Sequence, residues 1–169
     1  MTIALHPWAD DDLGILVQTL GDPAMMAHLG GIETAEQIAA RHERFLALPA
    51  TEGMFTIRLG DIRVGTIGYW ETAAHGEPVY ETGWFVLPEY GGRGIASQAA
   101  TRIVELARGQ RRLGSLHAYP AVDNLPSNRV CEKAGFRNLG ALSFEYPKGH
   151  WMLCNDWTIE LVPSAPALL

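Results

Sequence analysis

Two hydrophobic periods alternate along the chain, and together they predict its elements in order. Thr2 to Leu5 reads as a short first strand. Asp10, Asp11 and Asp12 then supply caps and first-turn acids for a helix over Leu13 to Leu20, because carboxylates accept from the N–H groups a helix start leaves unpaired. Gly21-Asp22-Pro23 breaks it. A second helix from Ala35 to about Leu48 takes Thr34 as N-cap with Gln37 at capping-box spacing, and Pro49 stops it. Phe55 to Leu59 and Val64 to Trp70 read as paired strands around the tight turn Gly60-Asp61. Val79 to Leu87, rich in aromatic and β-branched residues, is the longest strand, and Pro88 ends it. Beyond Gly91-Gly92-Arg93-Gly94 a helical period sets Ile95, Ala99, Ile103 and Leu106 on one face. Leu116 to Tyr119 is a short strand, and Asn124 to Ala134 a short helix with Gly135 as its C′ residue. Phe136 to Phe144 and Trp151 to Leu161 are the closing strands.

Helices, then antiparallel strands, then β-α-β-α-β-β predict an α/β (mixed α+β) fold. It is a single domain over residues 1–169, with a central mixed, mostly antiparallel sheet and helices on both faces. Composition changes this picture little. Hydrophobic residues are 47% and charged residues 19%, an ordinary globular mix. A net charge of -6 argues against a general nucleic-acid binder and mildly favours a cationic substrate. Cys131 and Cys154 make neither a disulfide framework nor a zinc spacing, and no histidine spacing suggests a metal. The first residues turn acidic at once and lack a signal peptide's basic segment and apolar run. No stretch approaches the ~18 apolar residues of a membrane span. These features predict a cytoplasmic chain with no membrane or nucleic-acid partner.

The sharpest feature is the run Trp84-Phe85-Val86-Leu87-Pro88-Glu89-Tyr90-Gly91-Gly92-Arg93-Gly94-Ile95-Ala96-Ser97. A strand enters a glycine turn that opens directly into a helix. The first N–H groups of that helix have no internal partner, and glycines let backbone approach a ligand closely, so the turn can cradle a phosphate. Arg93 and Ser97 add side-chain donors. A nucleotide P-loop would need Lys then Ser or Thr after the last glycine, where Ile95 stands. A dinucleotide fingerprint would need Gly or Ala at Ser97 and an acid ~20 residues on. A tight turn that binds nothing is the competing reading.

Further on comes Asn124-Leu125-Pro126-Ser127-Asn128-Arg129-Val130-Cys131-Glu132-Lys133-Ala134-Gly135-Phe136, with Ser127, Cys131 and Ala134 along one helical stripe. Together with the glycine turn this resembles the GNAT superfamily of N-acetyltransferases, and most of all its RimJ/RimL-like branch, over nearly the whole chain. Ile3 to Trp8, Asp12, Gly21-Asp22-Pro23 and Leu29-Gly30 look like the branch's opening, and Glu81 to Val86 like its central strand. The resemblance implies a sheet splayed in the middle that admits the pantetheine arm of acetyl-CoA like an extra strand. It implies that Phe85, Val86 and Leu87 offer backbone hydrogen bonds to pantetheine or the acetyl carbonyl. Gly92, Arg93, Gly94, Ile95 and Ala96 would hold the pyrophosphate, Asn124 and Asn128 would hydrogen-bond the pantetheine amides, and Ser97 and Ser127 would complete the cofactor site. Two departures stand out. Gly91 occupies a loop position where the superfamily often has Gln or Arg, and Cys131 occupies the place of the tyrosine many members use as general acid.

Acetyl transfer from a thioester to an amine needs a held donor, a polarised carbonyl, a neutral amine and a stabilised thiolate. Glu81, on the face of the central strand shared with Gly83 and Phe85, is the candidate base; a solvated or ion-paired glutamate is the competing reading. Ser127 or Cys131 is the candidate acid for the thiolate, against a helix-start serine and a small buried core residue. His75, in a polar loop, reads as a surface histidine. The acceptor expected from the branch is a protein or peptide N-terminal α-amine. A small-molecule amine (antibiotic, polyamine or amino acid) is the runner-up, and a non-catalytic acyl-CoA sensor the reading that follows from the missing tyrosine. Specificity would reside in Asp22 to Gly31, Glu71 to Pro78 and Tyr146 to Trp151. The exposed edges of the last strands leave room for a homodimer.

Overall fold

The computed structural model describes residues 2–161, so Met1 and residues 162–169 of the expected domain lie outside the described residues. The elements run β1 (Ala4–Pro7), α1 (Leu13–Leu20), α2 (Ala35–Leu46), β2 (Gly53–Leu59), β3 (Ile62–Ala74), β4 (Glu77–Val86), α3 (Ile95–Gln110), β5 (Ser115–Ala118), α4 (Leu125–Lys133), β6 (Arg137–Glu145) and β7 (Trp151–Glu160). All seven strands join one sheet in the order β1-β2-β3-β4-β5-β7-β6. Every neighbouring pair is antiparallel except β4–β5. The mixed, mostly antiparallel α/β sheet expected from the element order is therefore present. Among the described residues, no helix is long and apolar enough to cross a membrane.

Strand alternation gives the sheet two different faces. On one, α3 and α4 bury Ile95, Ala99, Ile103 and Cys131 against Ile57, Val64, Ile67, Tyr80 and Leu116, with Trp84 and Val86 packed alongside. On the other, Leu16 and Leu20 of α1 and Ile38 of α2 form a smaller cluster with Met26, and Phe85 packs against it. Leu106 departs from its expected place: it is 40% exposed, and Ala100, Val104 and Ala107 complete the buried face of α3 instead.

Local chemistry explains the element starts, with one correction. Thr34 Oγ1 accepts from Gln37 N at 3.3 Å and Gln37 Oε1 from Thr34 N at 2.8 Å, the reciprocal box predicted for α2. Asp12, expected to cap α1 forward, instead turns back. Its carboxylate accepts from Ala9 N at 3.0 Å and from Arg63 Nε at 2.6 Å. Arg63 reaches across from β3 and holds the fully buried carboxyl charged, so the acid that looked like a cap ties α1 to the sheet.

Candidate active site

The site lies where the sheet opens. Between β4 and β5 only Tyr80 pairs with Leu116 and Glu81 with His117. Past these pairs β4 runs on to Val86 while β5 ends at Ala118, so the β5-facing edge of Thr82 to Val86 carries no ladder. Leu87 N donates to Val64 O of β3 at 2.9 Å. By alternation, Phe85 also turns its main-chain groups toward β3, and Trp84 and Val86 turn theirs toward the gap. This refines the expectation for the strand end. Val86 presents its backbone to the opening, whereas Phe85 and Leu87 have theirs engaged with β3, and Trp84 joins Val86 at the open edge.

Directly after this edge comes the glycine turn. Gly92 and Gly94 have φ of 72° and 75°, in the left-handed region that favours glycine, and Gly94 is the N-cap of α3. Tyr90 N and Gly91 N are used locally, and Gln98 N makes the first helical bond, to Gly94 O. Among the described residues no acceptor takes the N–H groups from Gly92 to Ser97, six in succession. Arg93 does not point away from the turn as a free donor: its guanidinium donates to Glu89 O at 2.9 Å and sits 5.4 Å from the Tyr90 ring centroid.

The second motif forms α4, on the same face of the sheet as α3. Asn124 caps α4, its Oδ1 accepting from Ser127 N at 3.2 Å. Asn128 is fully engaged by the protein. Its Nδ2 donates to the carbonyls of Ala121 and Asn124, each at 2.9 Å, and its Oδ1 accepts from Asn155 Nδ2 and Trp157 Nε1, each at 2.8 Å. It locks α4 to β7, a structural duty in place of the expected ligand contact. Ser127 is partly buried at the start of α4. Cys131 is 0% exposed within the core, and burial pushes its thiol up to about 12. A thiol in that position packs α4 onto the sheet, and the geometry gives it no route to a leaving group.

On the α1/α2 face, Glu81 lines a cavity of about 270 Å³ with Thr72, Ala73, Ala74, His75, Tyr119, Leu142 and Phe144. Loss of solvent raises the Glu81 carboxyl from 4.5 to about 7, with the neighbouring Trp70 indole pulling it partly back. Gly83 makes room for that indole, since a Cβ there would come 3.1 Å from Trp70. Tyr119 stacks on Phe144 at 4.7 Å and on His117 at 5.9 Å between ring centroids. Burial first, then the carboxylates of Asp156 and Glu81, raise its phenol above the ordinary tyrosine range.

Three polar residues joined to the cavity wall through His75 were not among the site residues expected from the sequence. Asp156 Oδ2 lies 2.7 Å from His75 Nε2, and its Oδ1 2.7 Å from His117 Nδ1. Thr158 Oγ1 in turn lies 3.2 Å from His117 Nε2. Only the sheet register joins them, because His75 and Asp156 are 81 positions apart. Of the expected specificity segments, the structure brings two together. Gly30 lies against Pro147, and Arg41 Nη2 donates to Tyr146 Oη at 3.1 Å. The third, Glu71 to Pro78, contributes Thr72 to His75 to the cavity. No cluster of His, Cys, Asp or Glu suited to a metal occurs among the described residues.

An open strand edge, a run of bare amides at a helix start and, on the other face of the same strand, a partly buried carboxylate make up the candidate site. The family model described as Acetyltransferase (GNAT) domain matches residues 2–137, and the chain belongs to that family. It is 35% identical over 104 residues to the uncharacterized N-acetyltransferase YnaD of Bacillus subtilis, a match covering 62% of this chain and 57% of that protein, so the chain aligns with little more than half of this relative's length. The acetyltransferase (GNAT family) from Bacillus anthracis is similar in structure, with TM-score 0.79, 25% identity, and coverage of 95% of this chain and 96% of that one. Spermidine N-acetyltransferase from Vibrio cholerae, solved with CoA and spermine, shares the fold at TM-score 0.77 and 17% identity, covering 94% of this chain and 95% of that one.

Proposed function

We propose that the protein is an acetyl-CoA-dependent N-acetyltransferase that acetylates a primary amine by direct attack on the thioester. The observation that carries this reading is the succession of six amides from Gly92 to Ser97 that no acceptor takes among the described residues, following the interior strand β4 where its β5-facing edge is open. Those amides and the start of α3 suit a diphosphate. Trp84 and Val86 suit the pantetheine amides, as a further strand would. Bound acetyl-CoA supplies the activated acetyl group. A backbone N–H such as that of Val86 polarises its carbonyl, and the start of α4, with Ser127 and the Asn124 side chain, favours the departing negative charge.

Glu81 is the base. A carboxylate near 7 stands about one unit below an α-amine near ~8, a transfer uphill by about 1.4 kcal/mol, but more than three units below a lysine near ~10.4, uphill by more than about 4 kcal/mol. We therefore read the acceptor as an α-amine, with a protein or peptide N-terminus first, as in the RimJ/RimL-like branch the motifs resemble. A small cationic amine is the second reading, favoured by the net charge of -6 and by the fold shared with the spermidine enzyme. The test incubates the protein with acetyl-CoA and a panel of N-terminal peptides, blocked lysine peptides, amino acids and polyamines, scoring free thiol and the acetylated product by mass. Turnover fastest on α-amines supports the assignment. Binding of acetyl-CoA without turnover on any amine overturns it in favour of a sensor.

A further inference from the structure

The hairpin between β3 and β4 turns on two residues, His75 and Gly76, between the paired Ala74 and Glu77. Both turn residues have positive φ, 53° and 83°, the mark of a type I′ turn. Such a turn favours Asn, Asp or Gly at its first position, and His, like Asn and Asp, occurs at positive φ more often than other side chains. The turn therefore accommodates histidine, but does not by itself fix where the imidazole points. What holds it is Asp156, across the sheet on β7 and 1% exposed, whose Oδ2 lies 2.7 Å from His75 Nε2. The same carboxylate holds His117 through Oδ1, and Thr158 closes the chain at His117 Nε2.

A carboxylate that accepts from Nε2–H of a neutral imidazole leaves Nδ1 as the proton acceptor, the orientation role a buried Asp plays toward a base. His75 Nδ1 has no hydrogen-bond partner among the described residues, and the His75 side chain is 60% exposed at the cavity mouth. Glu81, in contrast, is partly buried on the wall of the same cavity. A partly buried base that receives a proton each cycle has to pass it on toward bulk solvent, and His75 is the exposed titratable side chain that shares its cavity. The ionisable groups around the imidazole are Asp156 from β7, His117 from β5, Glu81 from β4 and the Tyr119 phenol that follows β5.

We infer that His75, oriented by Asp156, relays to bulk solvent the proton that Glu81 takes from the acceptor amine. The inference rests on the acetyltransferase reading. The amine N–H breaks as a Glu81 O–H forms; that O–H then breaks, through cavity water, as the Nδ1–H of His75 forms; and solvent buffer removes the proton from His75. No oxidant or further reactant enters. Asp156 is a positioning residue, fixing the tautomer, and His75 completes the cycle without touching the acetyl group.

The test is His75→Asn in the full chain. Asparagine tolerates positive φ, so the hairpin is kept while the relay is removed. In dilute buffer lacking imidazole, kcat is expected to fall about tenfold, at the mild end of acid–base effects, with the amine KM unchanged. Added imidazole should restore kcat in the variant and leave the wild type unmoved. A variant with wild-type kcat, a loss that imidazole does not restore, or a rise in KM alone would each overturn the relay while the wild type still turns over. A wild type that acetylates no amine overturns the underlying acetyltransferase reading first, and the relay with it.

Discussion

Burial raises the Glu81 carboxyl to about 7, and that one residue ties rate to stability in opposite directions. The unprotonated form is the base, so kcat/KM is expected to rise through about pH 7, and Glu81→Gln to abolish that rise together with ~100-fold or more of the activity. The stability effect has the other sign. Because the folded value lies above the ordinary 4.5, the cost of the buried charge is absent below about pH 4.5, grows up to about 7 and is complete above it. Glu81→Gln should therefore stabilise the fold at pH 8 by about 2 kcal/mol and leave it unchanged at pH 4, read as Tm in the two buffers. Cys131 behaves differently. With no exposure and its thiol pushed up by burial, it is a packing residue, so Cys131→Ala should lower Tm and leave kcat unchanged. Equal loss of kcat without loss of Tm would return Cys131 to the chemistry.

At the scale of elements, the sequence was most readable where one local rule decides. The Thr34–Gln37 box, the Gly60-Asp61 turn, the Pro88 stop and the glycine-opened α3 each follow from a few neighbouring residues, and each appears close to its expected place. It was least readable where a distant partner decides. Asp12 looks like a cap until Arg63 is brought beside it, and Asn128 like a ligand donor until Asn155 and Trp157 fill it; His75 is at the surface as read, but its pairing with Asp156 is set by the sheet register. For α3 the element itself is the device, and it is open to test. Gly94→Ala places a Cβ at φ 75°, a strain of about 1–2 kcal/mol, and reshapes the amide run, so KM for acetyl-CoA should rise at least ~10-fold with the amine KM unaffected.

On the scale of the whole molecule, the sheet sets everything else by failing to close. β4 and β5 are parallel and share only two paired positions, so the two halves of the sheet diverge and leave an edge that no strand among the described residues fills. Helices on opposite faces then divide the labour. α3 and α4 present their starts on one face, while Glu81 opens on the other into the cavity beneath the β3–β4 hairpin. The most direct measurement is an amide-resolved NMR titration of the full chain with coenzyme A. The account predicts that the backbone amides of Gly92 to Ser97 show the largest shifts, followed by Trp84 and Val86. Saturable binding that leaves those amides unmoved, with the shifts gathered elsewhere, would contradict it.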